Sequence, residues 1–570
     1  MNRLWLRSSV VFLCLAQFVT TSNLLRADDD APGEKLLPKD TLAFFTISDV
    51  PEFRQKWDKT SVGQLLHDPK LKPFLDDVEK KIDEASKNME NETGVSIADL
   101  LEVPQGELTI ALLEKPARKL SFVFMLEFGK NKATIEKLLK KFDEALEKEQ
   151  AEHTTEEIEK IAVHVYTLKN PEPDNPFKTI TYFTDESFLV FSTEIEAIKE
   201  VLERWEGDSD DSLADNDQFK YIQSKCKLES GEPLLKWYIN PIGLIQSGIT
   251  MAQATIPQAG LAAAFLPMFG VDGWKGWGGT LDFDEGEFEG VSNSFIFAEN
   301  PKGLMGVFLF PETQLVPPKW VPADIGSYNA ANWNIAGAYT SIETLVDSFQ
   351  GRGATGRFLD QIAEQGPMVH AKKDIIDHLD GKIHILQSEA KDSDDDAPPT
   401  PQVLAAFGLK DPAKIKKTLA AAAKSAASNL ETREFNGETI YEIFTPNSDQ
   451  SVSIAVTEGQ LIITNDTPLL EGVMRGQSGG RAALIDSSEY KRISKYFPSK
   501  TSMVSFQRSE AQFKTYYNLL RKSDNFIDGI DVSKLPPFEA ISKYFQPSGS
   551  YTIPDKKGAK SVAYSLKRSE

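Results

Sequence analysis

Hydrophobic and polar positions fall along the chain in blocks that occur twice. Each half opens with a strand pattern behind a proline, at 41–47 after Pro38 and at 325–329 after Pro322. Helical text follows, PKLKPFLDDVEKKIDEA in the first half and RFLDQIAEQ in the second. Two strand runs come next: GELTIALL (106–113) and LSFVFMLE (120–127), against GKIHILQ (381–387) and QVLAAFGL (402–409). The next segment places Ile135, Leu138, Leu139 and Phe142 at the spacing of one helix face. Its counterpart, Leu419 to Ala427, is rich in alanine. Asn131 and Asp411 stand where a cap oxygen can accept a free backbone N–H, and Pro412 suits a first helical turn. Strand patterns at 161–168, 178–184 and 188–192 return at 439–444, 451–456 and 461–464. The last two of each set flank a tight turn, Asp185-Glu186 or Glu458-Gly459, which predicts an antiparallel hairpin. Thr193 and Glu196 have the spacing of a capping box, and the twin helix opens with Thr467 and Pro468. A strand at 234–239 or 502–506, a helical stretch and closing strands near 278–310 or 549–566 complete each block.

Short hairpins in place of long crossovers predict an α+β fold of two similar domains, each an antiparallel sheet with helices packed on one face. The alternative is one continuous sheet shared by both halves. The domains are expected at 36–317 and 318–568. Matching fragments support a tandem duplication. LPKDTLAFF (37–45) returns as VPADIGSYN (321–329), KNKATIEKLL as KDPAKIKKTL, FTDESFLVFST as VTEGQLIITND, and DNDQFKYI as DSSEYKRI. Most identical pairs, such as Gly106/Gly381, Ile135/Ile415 and Tyr166/Tyr441, are turn, cap or packing residues.

The Pro-x-Asp before the first strand, GLKDPAK leading into a helix, the TEGQLIITN hairpin and the acidic residue before F/Y-K-x-I occur together. In this the chain resembles a family of secreted bacterial proteins labelled only as a domain of unknown function. The likeness covers roughly 36–310 and 318–566. It implies an exported protein and carries no reaction or catalytic residue.

The first 27 residues read as a signal peptide, with Arg3 and Arg7 ahead of the apolar run VVFLCLAQFV (10–19) and Ala27 as the last residue removed. That run is shorter than the ~20 residues a spanning helix needs, so no transmembrane segment is expected in the mature chain. Cys14 lacks the small preceding residues of a lipoprotein site. Export to the periplasm or full secretion follows. The net charge is −22, which disfavours nucleic acid and anionic membrane surfaces as partners. Only Cys226 lies beyond the signal, so the mature fold has no internal disulfide and must be held by its core. The acidic stretches 208–217 and 392–401 read as solvated loops, since the glycine and glutamate of a calcium loop are missing.

Candidate chemistry is sparse. No GxSxG, HExxH, Rossmann or P-loop pattern occurs. Cys226 occupies an apolar slot and reads as a core side chain. His164 and His384 face threonines in the opposite half, while His67 and His153 lie in polar helical or linker text. His370, Asp374 and His378 would share one face of a helix, and these ligand types suit zinc. No other cofactor is expected.

The sharpest asymmetry lies between Trp237 and Val271, where no charged residue occurs. Its twin, 506–530, is full of charge. Three readings compete: an internal face that joins the two halves, an exposed patch for a partner or lipid, and a membrane-surface contact. Trp274 and Trp277 follow in what reads as a glycine-rich turn, VDGWKGWGG. The expected contact residues are Leu261, Phe265, Trp274 and Trp277, taking an unknown protein or an apolar ligand. The function expected is that of a non-enzymatic binding or scaffold protein of the bacterial cell envelope. The alternatives are a metal-assisted hydrolase with its site between the repeats and a carrier of an apolar ligand.

Overall fold

The computed structural model describes residues 32–568 except 94–95, 116–118, 170–177, 206–208, 229–230, 254, 300, 367–368, 392–399, 426–429, 445–450, 477–481 and 523–529. Residues 1–27, expected as a signal peptide, and most of the acidic stretch 392–401 lie outside the described residues. Contacts divide the chain into two units. Among the described residues, unit 1 holds those within 32–264, 274–297 and 530–537, and unit 2 those within 265–273, 298–522 and 538–568.

Unit 1 contains strands β1 (Ala43–Ile47), β2 (Leu108–Lys115), β3 (Lys119–Glu127), β4 (Glu152–Ile158), β5 (Ile161–Thr167), β6 (Thr179–Asp185), β7 (Phe188–Ser192), β8 (Leu235–Ile239), β9 (Trp274–Glu285) and β10 (Phe288–Ala298). They lie in the order β4-β5-β6-β7-β3-β2-β1-β8-β9-β10, with neighbours antiparallel from β4 to β9. Unit 2 contains β11 (Ser327–Asn332), β12 (Leu379–Lys391), β13 (Thr400–Leu409), β14 (Leu430–Phe435), β15 (Glu438–Phe444), β16 (Ser451–Thr457), β17 (Gln460–Thr464), β18 (Met503–Arg508), β19 (Pro547–Asp555) and β20 (Gly558–Leu566). Their order, β14-β15-β16-β17-β13-β12-β11-β18-β19-β20, repeats that of unit 1 strand for strand.

The class is α+β with antiparallel sheet. One feature of the expected layering is corrected, because helices cover both faces of the unit 1 sheet. Phe44, Ala111, Leu113, Val123, Phe183 and Val190 face helices Ile195–Leu202 and Asp217–Lys225. Their sequence neighbours Leu108, Leu126, Tyr182 and Leu189 face the opposite way, toward Ile135 and Leu146 of helix Lys132–Lys148. The strand runs GELTIALL, LSFVFMLE and FLVF are apolar at nearly every position, and only a sheet covered on both sides buries such a run.

Turns and helix caps follow local sequence signals only in part. The β16–β17 hairpin turns through Glu458 and Gly459, both at positive φ. The β6–β7 hairpin turns one residue later than expected, through Glu186-Ser187, because Asp185 still pairs with Phe188. Asp411 caps its helix by accepting the Lys414 amide at 3.0 Å. Asn131 does not cap. Its amide nitrogen donates instead to the Glu102 carbonyl at 2.7 Å. The Thr193 hydroxyl accepts from the Phe122 amide at 3.0 Å, so the helix behind it starts at Ile195 without a capping box. In both cases a distant segment engages the side chain that local spacing assigned to the helix end, and so orients it away from the cap.

Candidate functional site

The uncharged segment folds into two helices. Pro241–Gln253 starts where the Asn240 side chain accepts the Gly243 amide at 3.0 Å. Pro241 sits in its first turn, where no N–H is required. A side chain on Gly243 would meet Leu42, so this glycine lets the first turn lie close on its neighbour. After Pro257 the chain turns into helix Ala259–Phe269, which contains Pro267 and ends at Gly270 with φ +72°. A Cβ on Gly270 would lie 2.0 Å from the Lys302 carbonyl oxygen, so the turn admits no side chain.

Helix Ala259–Phe269 has no buried residue. Leu261 is 66% exposed, Phe265 41% and Met268 40%. A helix that is apolar around its whole circumference is normally enclosed on every side, and this one is not. Within unit 2, the rings of Phe265 and Phe269 each stand 6.1 Å from Phe349, which is itself 52% exposed. The Ser348 hydroxyl lies 3.8 Å from the Met268 sulfur. Leu304, Phe308 and Ile342 of the same unit are also exposed.

Trp274 and Trp277 are not in a turn. They open strand β9, where Trp277 pairs across from Ile239. The Trp277 ring meets Trp237 edge to face at 5.2 Å and lies 6.4 Å from Trp274. Trp277 is exposed, whereas Trp274 is half-buried with its indole nitrogen enclosed and unpaired. The glycines that made this text look like a turn serve packing inside the sheet. A Cβ on Gly279 would fall 3.0 Å from the Trp237 indole nitrogen.

The proposed zinc ligands do not share a helix face. Ala371–Ile375 is a π turn and Ile376–His378 a 3-10 turn, after which β12 begins. His370 caps the first turn, its Nδ1 accepting the Lys373 amide at 3.2 Å, while its Nε2 faces Asp360 at 3.2 Å. Asp374 accepts the His370 amide at 3.0 Å and pairs with Lys414 at 3.4 Å. The His370 amide, then Lys414, hold its carboxyl below the usual range. His378 contributes its backbone carbonyl to Lys410. Among the described residues no group of three or more His, Cys, Asp or Glu is placed to hold a metal ion. Cys226 is fully buried in the unit 1 core, its sulfur 4.0 Å from the Gly278 carbonyl oxygen.

A cleft of about 620 Å³ in unit 1 is lined by Asp40, Glu114, Glu200, Asp211, Lys39 and Arg204, among others. Arg204 donates to the Glu200 and Asp211 carbonyls, and Glu200 pairs with Lys115 beside the cleft. The sequence did not point to it, since its walls come from separate segments.

Residues 369–518, inside unit 2, match a family described as "Protein of unknown function (DUF3352)". That stretch is a domain of unknown function. No curated protein and no solved structure matches the chain. Among the described residues, no helix is long and apolar enough to cross a membrane.

Proposed function

We propose that the protein is exported to the bacterial cell envelope and acts there by binding or scaffolding, without catalysing a reaction. Its contact surface is the uncharged helix Ala259–Phe269, with Leu261 and Phe265 as anchors and Trp277 and Trp274 in support. The partner is a protein or ligand that offers an apolar face. One observation carries this reading: the helix bears no charge and buries none of its residues. Exposed apolar area of this kind marks interaction sites far more often than ordinary surface. Export rests on the arginine-led apolar run of residues 1–27. The repeated ten-strand order supports the further reading that 36–317 and 318–568 are copies of one ancestral domain.

The test is a photo-crosslinking residue at position 261, with a second at the equally exposed Tyr516 as control, in cells that make the protein naturally. The reading expects one discrete adduct from position 261 that Tyr516 does not give. It also expects Leu261→Asp with Phe265→Asp to abolish capture at Trp277 while the melting curve stays in place. Identical products from positions 261 and 516 would refute it, as would unfolding of the double variant.

A further inference from the structure

Two histidines that the sequence placed apart, one of them in linker text, meet in unit 1. His153 lies on β4 and His164 on β5, at diagonal positions of the β4–β5 ladder. His153 Nε2 and His164 Nδ1 are 3.2 Å apart, and their rings are 12° from parallel with centroids 5.4 Å apart. That centroid distance is close to the nitrogen separation plus the two ring radii. The imidazoles therefore lie end to end in nearly one plane, each nitrogen aimed at the other. This is the geometry of an N–H···N hydrogen bond, in which one ring donates and the other accepts. A single metal ion would instead need the two lone pairs to converge on a point beside the line joining them.

The surroundings fix the pair. His153 stacks on Tyr166 at 4.3 Å, and His164 stacks on Tyr182 at 4.8 Å. The Tyr182 hydroxyl donates to Asp143 at 2.8 Å. The charged or titratable groups facing the pair are Asp143 and Glu147 from helix Lys132–Lys148, Tyr166 from β5, Tyr182 from β6 and, by strand alternation, Glu157 from β4 itself. Strand β4 is an edge strand whose residues are exposed up to Glu157, so few apolar contacts hold it. In unit 2 the equivalent rungs carry Thr432 and Thr439.

We infer that His153 and His164 form one proton-binding site that fastens edge strand β4 to the sheet near neutral pH and releases it on acidification. The pair accommodates one added proton, because an imidazolium still donates to the neutral ring and gains strength from its charge. A second proton, taken from solvent, leaves N–H groups on both facing nitrogens, so the bond is lost and two cations oppose each other. Burial, then His153, keeps the His164 imidazole below the ordinary histidine range, against the pull of Asp143. The sign follows: a histidine that stays neutral in the fold contributes fully above its unfolded value, and the contribution is lost as pH falls.

Amide hydrogen exchange of the full chain tests this. After correction for intrinsic rates, protection of the β4 amides is expected to fall ~10-fold or more between pH 7 and 4.5, one pH unit of linkage being worth that factor. His153→Phe keeps a ring on Tyr166 and removes the shared proton, so its β4 protection should not vary with pH. An unchanged pH profile in that variant would overturn the inference, as would a flat profile in the native chain. Should His153→Phe fail to fold, NMR titration of the native imidazole C–H signals decides. Two separated steps support the shared site, and one step with both rings at the ordinary histidine value refutes it.

Discussion

A single row of side chains separates the two units more clearly than any element of their folds. Across unit 1, Phe124, Ile110, Phe45, Trp237 and Gly279 lie side by side on adjacent strands. At the same rungs of unit 2 stand Ala405, Ile385, Asn329, Ser505 and Ser550. The first row carries three aromatic rings, with the Trp237 indole lying over the glycine and its edge-to-face partner in Trp277. The second is held by a side-chain hydrogen bond, Ser505 hydroxyl to Asn329 at 2.8 Å. The inner rung differs too: Thr109 of unit 1 joins a hydroxyl network with Thr46 and Glu107, whereas His384 of unit 2 bonds the Tyr328 hydroxyl at 2.9 Å. The connecting helices diverge likewise, with an uncharged helix at Ala259–Phe269 and a charged one at Ser509–Lys522. Strand order depends on the backbone ladder and on apolar residues facing a helix. Once these are kept, the remaining positions are free to carry different chemistry, which is why one topology presents two dissimilar surfaces.

The largest expected difference is in acid sensitivity. Burial, with Lys382 adding to it, pushes His384 down to about 4. Its neutral form is favoured in the fold, so its contribution is complete above about pH 6.5, the ordinary histidine value, and is lost as pH falls through 4. Relative to that ordinary value the loss is about 3 kcal/mol. Exchange protection in β11 and β12 should record it, and His384→Gln should abolish the pH dependence. Strands β1 and β2, with Thr109 at that rung, should lack this step. Equal acid responses in the two pairs would break the comparison.

Packing comes next. Trp237→Ser removes a half-buried indole and should cost about 3 kcal/mol in urea unfolding, the lower end for a large aromatic. The reverse exchange, Ser505→Trp, adds a ring to a polar row and should change stability by less than about 1 kcal/mol. Similar losses from both would show that the rows are not chemically distinct. Smaller still is the pair Gly279→Ala and Ser550→Ala. A Cβ at 279 would come 2.2 Å from the Asn293 carbonyl oxygen, an overpacking worth about 1–2 kcal/mol, while the serine change should stay within about 0.5 kcal/mol.

Much of the architecture was legible in the sequence, and the misses have identifiable causes. Helix Lys132–Lys148 was readable because Ile135, Leu138, Leu139 and Phe142 repeat at helical spacing. Strands β4 and β14 were missed because edge strands such as EHTTEEI carry almost no apolar residues. With β4 went the histidine pair, since His153 without a strand has no partner. The face formed by His370, Asp374 and His378 dissolved because β12 starts at Leu379 and pulls the preceding residues into tight turns. Trp274 and Trp277 looked like turn residues because of the glycines around them. Those glycines make room for neighbouring side chains and backbone in the sheet.

Local pattern alone carries the order of most strands and helices, though not the edge strands β4 and β14, together with the antiparallel hairpins, the acidic charge and the uncharged stretch from Trp237 to Val271. Periodicity, turn chemistry and charge act over a few residues and need no knowledge of distant segments. Three features emerge from the packed fold alone: helices on both faces of the unit 1 sheet, no buried residue in Ala259–Phe269, and the convergence of His153, His164, Tyr166, Tyr182 and Asp143. Burial and side-chain convergence depend on which remote parts of the chain meet, and no local pattern encodes that.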